Sequence, residues 1–368
     1  MVTVYDWFDD PRAMDALAAQ KYHRGLAEAL IAAADRDRRT WDVTRRSAFR
    51  LVAGMDPEQR RPVLDELVRV LSFGPWLSGD QARFTAALRA IADLGDGGES
   101  LDPADRVYYR EQWIAVAEHQ VELSDMPEVR LVVEHELAAG RTVPATLVAA
   151  VRRTAEETFT GTEYAELAAR LTDPPVNPGE AWADRALAHA AKCGAPWSEL
   201  LAHAAGARSA KPSRAWERKA RTLLTTIGEQ EAAEAVVGWL ARVGRRRTVQ
   251  LMCEDTQVDG YDRFNENALR GLCWLLTLVP PAPAAASRRA EVLAGLVTDA
   301  PTRVSNAAVY ALARSGDAEA LRRLVRLAGV VDRPTRKLVE AALDAEAQAR
   351  GVTRAELDEV AVPLAGGS

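Results

Sequence analysis

Near its C-terminal end the chain repeats one helical pattern three times in succession. Val304, Ala307, Ala308, Ala311 and Leu312 fall at i, i+3, i+4, i+7 and i+8, a spacing that lines one face of an α-helix with apolar side chains. Ser315-Gly316-Asp317 closes that helix and opens the next, where Leu321, Leu324, Val325 and Ala328 form a second stripe. After Asp332-Arg333-Pro334 a third stripe follows, made of Leu338, Ala341, Ala342 and Ala345. Helices with a single apolar face gain stability by packing on one another, so the chain must stack them. No sustained period-2 alternation bounded by turn residues occurs, so no β-sheet of consequence is expected.

The pattern also recurs at longer range. Ala48 lies on TRRSAFRLVAGM and Ala87 on RFTAALRAIADLG, 39 residues apart. Ala268 in NALRGLCWLL and Ala308 in NAAVYALARSG are 40 apart. Small residues at a crossing point let two helices approach closely. A unit of about 40 residues holding two antiparallel helices is the HEAT/armadillo size class. The expected fold is therefore all-α, a HEAT/armadillo-like α-solenoid of about eight helical pairs. The alternative is an irregular helical bundle in which the spacing is accidental. Breaks are expected at Gly95-Asp96-Gly97-Gly98, at Pro174-Pro175-Val176-Asn177-Pro178 and at Pro280-Pro281-Ala282-Pro283, since proline cannot continue a helix. The second break is the expected bend between two halves, residues 1–175 and 176–368.

Charge separates the same halves. The whole chain carries −6, but residues 1–184 carry −11 and residues 185–368 carry +5. The acidic half disfavours nonspecific nucleic-acid binding, while the basic half can hold a cationic face. Of the 368 residues, 48 % are hydrophobic, enough for a sizeable core, and 27 % are charged, which argues against a membrane-embedded chain. No run approaches the ~18 apolar residues of a membrane span. The opening MVTVYDWFDDPRAMDALAAQ is acidic and lacks the apolar core of a signal peptide. Cys193, Cys253 and Cys273 are scattered and odd in number, so neither a disulfide framework nor a zinc site is expected. The expected compartment is a reducing cytoplasm.

Catalytic motifs are not found. His23, His119, His135, His189 and His203 are far apart, and VEHEL around His135 is not a metalloprotease helix. There is no phosphate-binding P-loop and no nucleophile elbow. CEDTQVDGYDRFNEN gathers Glu254, Asp255, Asp259, Asp262 and Glu266. Such carboxylates can hold a hard cation or supply a general acid and base. The spacing is not that of a calcium loop, and Asp262 reads better as the cap of a helix opening at Arg263. No cofactor and no metal are expected.

The basic run from Arg208 to Arg247 holds ten cations against Glu217, Glu229, Glu231 and Glu234, a net of +6. Lys211, Arg214, Arg218 and Arg221 would form one helical stripe, with Trp216 among them. That stripe reads either as a solvated face that meets acidic neighbours or as a phosphate-contacting surface. The chain has nine tryptophans, Trp7, Trp41, Trp76, Trp113, Trp182, Trp197, Trp216, Trp239 and Trp274. Most are expected as packing wedges between helices, and a minority as contact anchors, Trp216 first among them. Asn267 and Asn306 each directly precede a repeat alanine and are 39 apart. They form either a ladder bonded to loop carbonyls or the polar lining of a concave groove, joined by Arg270, Arg303 and Tyr310. The expected binding residues are Lys211, Arg214, Trp216, Arg218, Arg270, Arg303, Asn306 and Tyr310.

The second half also resembles a known bacterial pattern, carried by KPSRAWERKARTLLTTIG (211–228), VVGWLARV (236–243), NENALRGLCWLL (265–276), SNAAVYALARSGDAEALRRLVRL (305–327) and RKLVEAALDAEAQARGVTRAELDEVAVP (336–363). Their order and spacing resemble the helical region that precedes the DUF4132 domain of large bacterial proteins labelled MolR-like. In those proteins the closing VP step leads into the DUF4132 domain. Here Val362-Pro363 is followed only by LAGGS, so a stand-alone or shortened version of the region is expected. The resemblance implies no chemistry, but it implies a partner, by analogy a MoxR-type ATPase or a von Willebrand A-domain protein. The functional expectation is a non-catalytic scaffold that binds a protein on its concave face. The rival is a DNA-binding or DNA-glycosylase-like helical-repeat enzyme, with Asp255 or Asp262 and with Trp216 and Trp274 at a basic groove.

Overall fold

The computed structural model describes residues 7–36, 46–73, 103–123, 126–157, 161–253, 256–258 and 260–361. Among these the chain is all-α, with eighteen α-helices and one two-stranded ribbon. It separates into two compact units, Met1–Ala150 with Cys253–Thr256, and Val151–Met252 with Gln257–Ser368.

The first unit contains α1 (Pro11–Ala19), α2 (His23–Arg36), α3 (Ser47–Ala53), α4 (Pro57–Phe73), α5 (Pro103–Ala117), α6 (Pro127–Ala138) and the first turn of α7 (Ala145–Ala155). The Asp10 carboxylate caps α1 by accepting from the Arg12 N–H at 2.9 Å, satisfying a donor that the helix leaves free. Leu26, Ala27 and Leu30 of α2 are buried, and α2 packs on α1, α3 and α4. Ala48 on α3 is buried as its repeat position requires. Ala87 and the Gly95–Gly98 break lie outside the described residues, as do Trp41 and Trp76.

The second unit continues α7 and adds α8 (Gly161–Arg170), α9 (Ala181–Cys193), α10 (Ala195–Ala205), α11 (Arg214–Ile227) and α12 (Glu229–Leu240). A ribbon of β1 (Leu251–Cys253) and β2 (Thr256–Val258) follows in the chain, its Cys253 and Thr256 counted with the first unit. Then come α13 (Glu266–Leu276), α14 (Pro283–Asp299), α15 (Thr302–Ser315), α16 (Ala318–Val330), α17 (Arg333–Arg350) and α18 (Arg354–Ala361). The ribbon has arms of three residues, too short to show a period in the sequence.

Helix α13 is the centre of this unit. Its run ALRGLCWLL is buried from Ala268 to Leu276, Arg270 included, as a helix packed on more than one side demands. Each large apolar side chain fully buried there contributes roughly 1.5–3 kcal/mol relative to exposure. Helices α10, α13, α15 and α17 pack each on the next, as do α12, α14, α16 and α18. Ala268 and Ala308 are fully buried on adjacent α13 and α15, so their spacing joins helices that are neighbours in space. One continuous apolar cluster runs from Val176 to Leu357. Trp182, Trp197, Trp239 and Trp274 are buried within it, as is Trp113 in the first unit. Asp317 and Asp332 cap α16 and α17, accepting from Ala320 N–H at 2.9 Å and Thr335 N–H at 3.0 Å.

The Pro174–Pro178 segment lies within the second unit, where Val176 and Asn177 are fully buried. A polar clasp holds it. The Asn177 N–H donates to Asn265 Oδ1 at 2.8 Å, and Asn265 Nδ2 donates to the Asn177 carbonyl at 2.9 Å. Asn177 Nδ2 reaches both carboxylate oxygens of Asp262 at 3.2 Å. Arg152 donates to the carbonyls of Leu171 and Pro174 and covers the Phe264 ring at 4.6 Å. Burial pushes the Arg152 pKa down to about 10, which leaves the guanidinium charged at neutral pH.

Candidate functional site

Asp262 also starts the site. Its Oδ1 accepts from the Phe264 N–H at 3.1 Å and caps the 3-10 turn Arg263–Asn265 that feeds α13, as its position in the sequence suggests. It does more than cap. Asp262 is 2 % exposed and receives Arg153 Nη1 at 3.3 Å, so its carboxylate is enclosed. Glu254, Asp255 and Asp259 lie outside the described residues.

From this turn α13 projects Asn267 and Arg270 at i and i+3, and α15 projects Arg303 and Asn306 at the same spacing. These four side chains line a cleft of ≈ 570 Å³ together with Ala205, Arg208, Ser209, Ala210, Phe264 and Glu156. Beside the cleft α10 and α13 meet backbone to backbone. A Cβ at Gly271 would stand 2.2 Å from the Ala204 carbonyl oxygen, so only glycine permits the approach. That contact brings the end of α10 and the 206–210 loop against the α13 face. Arg270 then fixes the loop, its Nη1 donating to the carbonyls of Ala207 at 3.1 Å and Ser209 at 2.9 Å.

The cleft is cationic. Arg208, Arg270 and Arg303 line it against the single carboxylate of Glu156. Burial lowers the Arg270 pKa and the neighbouring Arg303 charge lowers it further, opposed by Glu266. Burial raises the Glu266 pKa, and the guanidiniums of Arg303, Arg263 and Arg270 pull it back. The side chains of Arg208, Arg303, Asn267 and Asn306 have no hydrogen-bond or ion-pair partner among the described residues. Guanidinium forks and amides of this kind suit planar anions. The one hydroxyl of the lining, Ser209 Oγ, donates to the Lys211 carbonyl at 2.7 Å.

Of the eight residues expected to bind, the structure brings Arg270, Arg303 and Asn306 into this cleft, with Asn267 beside them. Asn267 and Asn306 line a groove and do not form a ladder to loop carbonyls. Tyr310, one turn beyond Asn306, is half-buried and packs on the core. Ser213 caps α11 through the Trp216 N–H at 3.1 Å, so the helix opens at Arg214 and Lys211 precedes it in the loop. The basic stripe on α11 is thus Arg214, Arg218 and Arg221, all three exposed, and Arg221 Nη1 reaches the Leu278 carbonyl at 3.5 Å. Trp216 is a packing residue. It stacks on His203 at 4.6 Å, meets Trp274 edge-on at 5.3 Å and donates its Nε1–H to the His203 carbonyl. Burial lowers the His203 pKa. Cys273 is enclosed on α13, where burial pushes its thiol up to about 12. Arg208 stands out in the sequence only as part of a basic run. Glu156 and Phe264 carry no sequence signal, since only the fold brings α7 to α13.

Among the described residues no three His, Cys, Asp or Glu side chains gather as a metal site, and no helix is long and apolar enough to cross a membrane. Comparison of the chain with protein-family models, with curated proteins and with solved structures finds no match.

Proposed function

We propose that the chain is a non-catalytic helical-repeat scaffold whose Arg208–Arg270–Arg303 cleft grips an acidic segment of a protein partner. The observation that carries this reading is the convergence of three arginines and two unpartnered asparagines on one cleft, from elements up to about 100 residues apart. Phe264 adds an apolar wall, as a peptide side chain needs. Glu156 and the nearby Glu266 oppose a dense polyanion and tolerate spaced carboxylates. The two rows of helices in the second unit support a solenoid of HEAT type, in which neighbouring repeats share one binding surface. The resemblance to the DUF4132-associated region supports the same class of role, with a MoxR-type ATPase or von Willebrand A-domain protein as the partner to try first.

The test is fluorescence anisotropy with a labelled oligoglutamate peptide and, in parallel, a single-stranded oligonucleotide. The peptide is expected to bind, and Arg208→Glu with Arg303→Glu to weaken it about tenfold or more. Arg214→Glu with Arg218→Glu, outside the cleft, is expected to leave peptide affinity unchanged. The reading fails if the cleft variant binds the peptide like the parent. It fails equally if the oligonucleotide binds more tightly, with a log–log salt slope near the −0.7 per neutralised phosphate typical of single strands.

A further inference from the structure

The arginines at the end of the basic run are not part of that cleft. Helix α12 ends at Leu240, and the Arg242 and Val243 N–H groups turn back onto the Trp239 and Leu240 carbonyls at 2.9 and 3.1 Å. Gly244, at φ +76°, then reverses the chain in a conformation that side chains resist. The reversal wraps Arg242, Arg245, Arg246 and Arg247 around a second cavity of ≈ 310 Å³, closed by Tyr261 and by Glu180 at the foot of α9. This cavity shares no residue with the first cleft.

The donors here exceed the acceptors. Arg247 is enclosed, with 6 % of its side chain exposed. Its Nε and Nη1 donate to the carbonyls of Val249 at 3.2 Å and Gly260 at 3.0 Å, and its Nη2 is buried with no hydrogen-bond partner. Arg242 uses its Nη1 on the Gly238 carbonyl. The exposed Arg245 and Arg246 have no side-chain partner among the described residues. The only carboxyl of the lining is Glu180, which is already engaged by Asn265 Nδ2 at 2.7 Å, Trp182 Nε1 at 3.1 Å and the Asp262 N–H at 3.2 Å. Its nearest approach to Arg247 is 3.9 Å. Burial and the Asp262 charge hold the Glu180 pKa up to about 7, so part of it is neutral at neutral pH and it offsets less than one of the four cationic charges around the cavity. A small cavity ringed by guanidinium forks with spare N–H groups matches a tetrahedral dianion better than a planar carboxylate, because three terminal oxygens can each take donors.

We propose that this pocket binds a phosphate monoester, with Arg245 and Arg246 as its donors. The site is independent of the acidic-segment cleft and stands or falls separately from it.

Titration calorimetry of the full chain with inorganic phosphate and with glycerol 3-phosphate, at constant ionic strength set with sodium chloride, tests this. Saturable binding is expected, tighter for the ester if the cavity also holds the organic part and equal if it serves free phosphate. Arg245→Gln with Arg246→Gln, both at exposed positions, should weaken binding about tenfold or more, while Arg303→Gln should leave it unchanged. A rise in the thermal midpoint of the unaltered protein with added ligand gives a readout that needs no variant. Absence of saturable binding and of that rise overturns the proposal. So does an Arg245→Gln, Arg246→Gln protein that binds like the parent, or a loss caused equally by Arg303→Gln.

Discussion

Glu180 shows how much one buried residue can be asked to do. It accepts three hydrogen bonds in the clasp around Asn177 and Asn265, and Asp262, Arg152, Arg153, Arg247 and Tyr261 are ionisable groups that face or electrostatically influence this clasp. Burial, followed by the Asp262 charge, pushes its pKa from the ordinary 4.5 to about 7. A carboxyl whose folded pKa is raised holds its proton more tightly folded than unfolded. Stability therefore falls as pH rises from about 4.5 to about 7 and levels off above that, a contribution of about 3 kcal/mol if fully expressed. Glu180→Gln cannot ionise and should flatten this slope. Urea unfolding at several pH values between 5 and 8 reads the difference between the two slopes, which a uniform loss of stability does not mimic. Parallel slopes in the two proteins would show that Glu180 is ionised in the fold.

At the scale of elements, the cleft depends on how closely α10 and α13 approach. Alanine at Gly271 gains up to about 1 kcal/mol of helix propensity. It also places a methyl 2.2 Å from the backbone of Ala204, which cannot move without separating the helices. Overpacking of this kind costs typically 1–3 kcal/mol, and the contact here is with rigid backbone, so the clash wins. Gly271→Ala is expected to lower the thermal midpoint and to weaken oligoglutamate binding, because the 206–210 loop loses its seat on α13. Gly238, inside α12, is the contrasting case. An added Cβ there meets nothing within 4 Å, and alanine should stabilise by about 0.5–1 kcal/mol. Equal destabilisation by both substitutions would remove the close-approach argument.

At the scale of the whole chain there are two units, each with its own core. In the second, the apolar cluster is continuous from Val176 to Leu357, so helices far apart in sequence share their stability through their neighbours. Leu343 on α17 is fully buried near one end of that cluster. Leu343→Ala should cost about 2–5 kcal/mol, as large-to-small changes in a packed core do. Native-state hydrogen exchange should then show faster opening of α10 and α13 as well as of α16 to α18. Faster exchange confined to α16, α17 and α18 would mean that the unit opens helix by helix from its end.

The apolar stripes on α15 and α16, the caps at Asp317 and Asp332, and the pairing of Ala268 with Ala308 are all legible in the sequence. They are set by local periodicity, by single side chains that satisfy free N–H groups, and by residue size at a crossing. The capping role of Asp262 is legible for the same reason. On α17 the expected stripe of Leu338, Ala341, Ala342 and Ala345 is not the buried one, because the helix turns Thr335, Val339, Leu343 and Ala347 to the core and leaves Leu338, Ala341 and Ala345 exposed. The site is legible only in part. Asn267 and Asn306 share a register along the repeat, and Arg270 and Arg303 each lie three residues from one of them on the same helix, so spacing alone places each pair on one face. Glu156, Phe264 and the loop at Arg208 join them through long-range packing, and no local pattern encodes such a contact. The α11 stripe shows the converse. Its charges look like a surface built around Trp216, but the indole stacks on His203 and meets Trp274 edge-on. Which tryptophan packs and which cation stays without a partner is decided by neighbours more than ten residues away. The sequence by itself determined the helices and their repeat, because those follow from local hydrogen bonding and one-sided hydrophobicity. Only the tertiary structure decided which of the many arginines converge with spare donors, because that depends on where acceptors from distant segments end up.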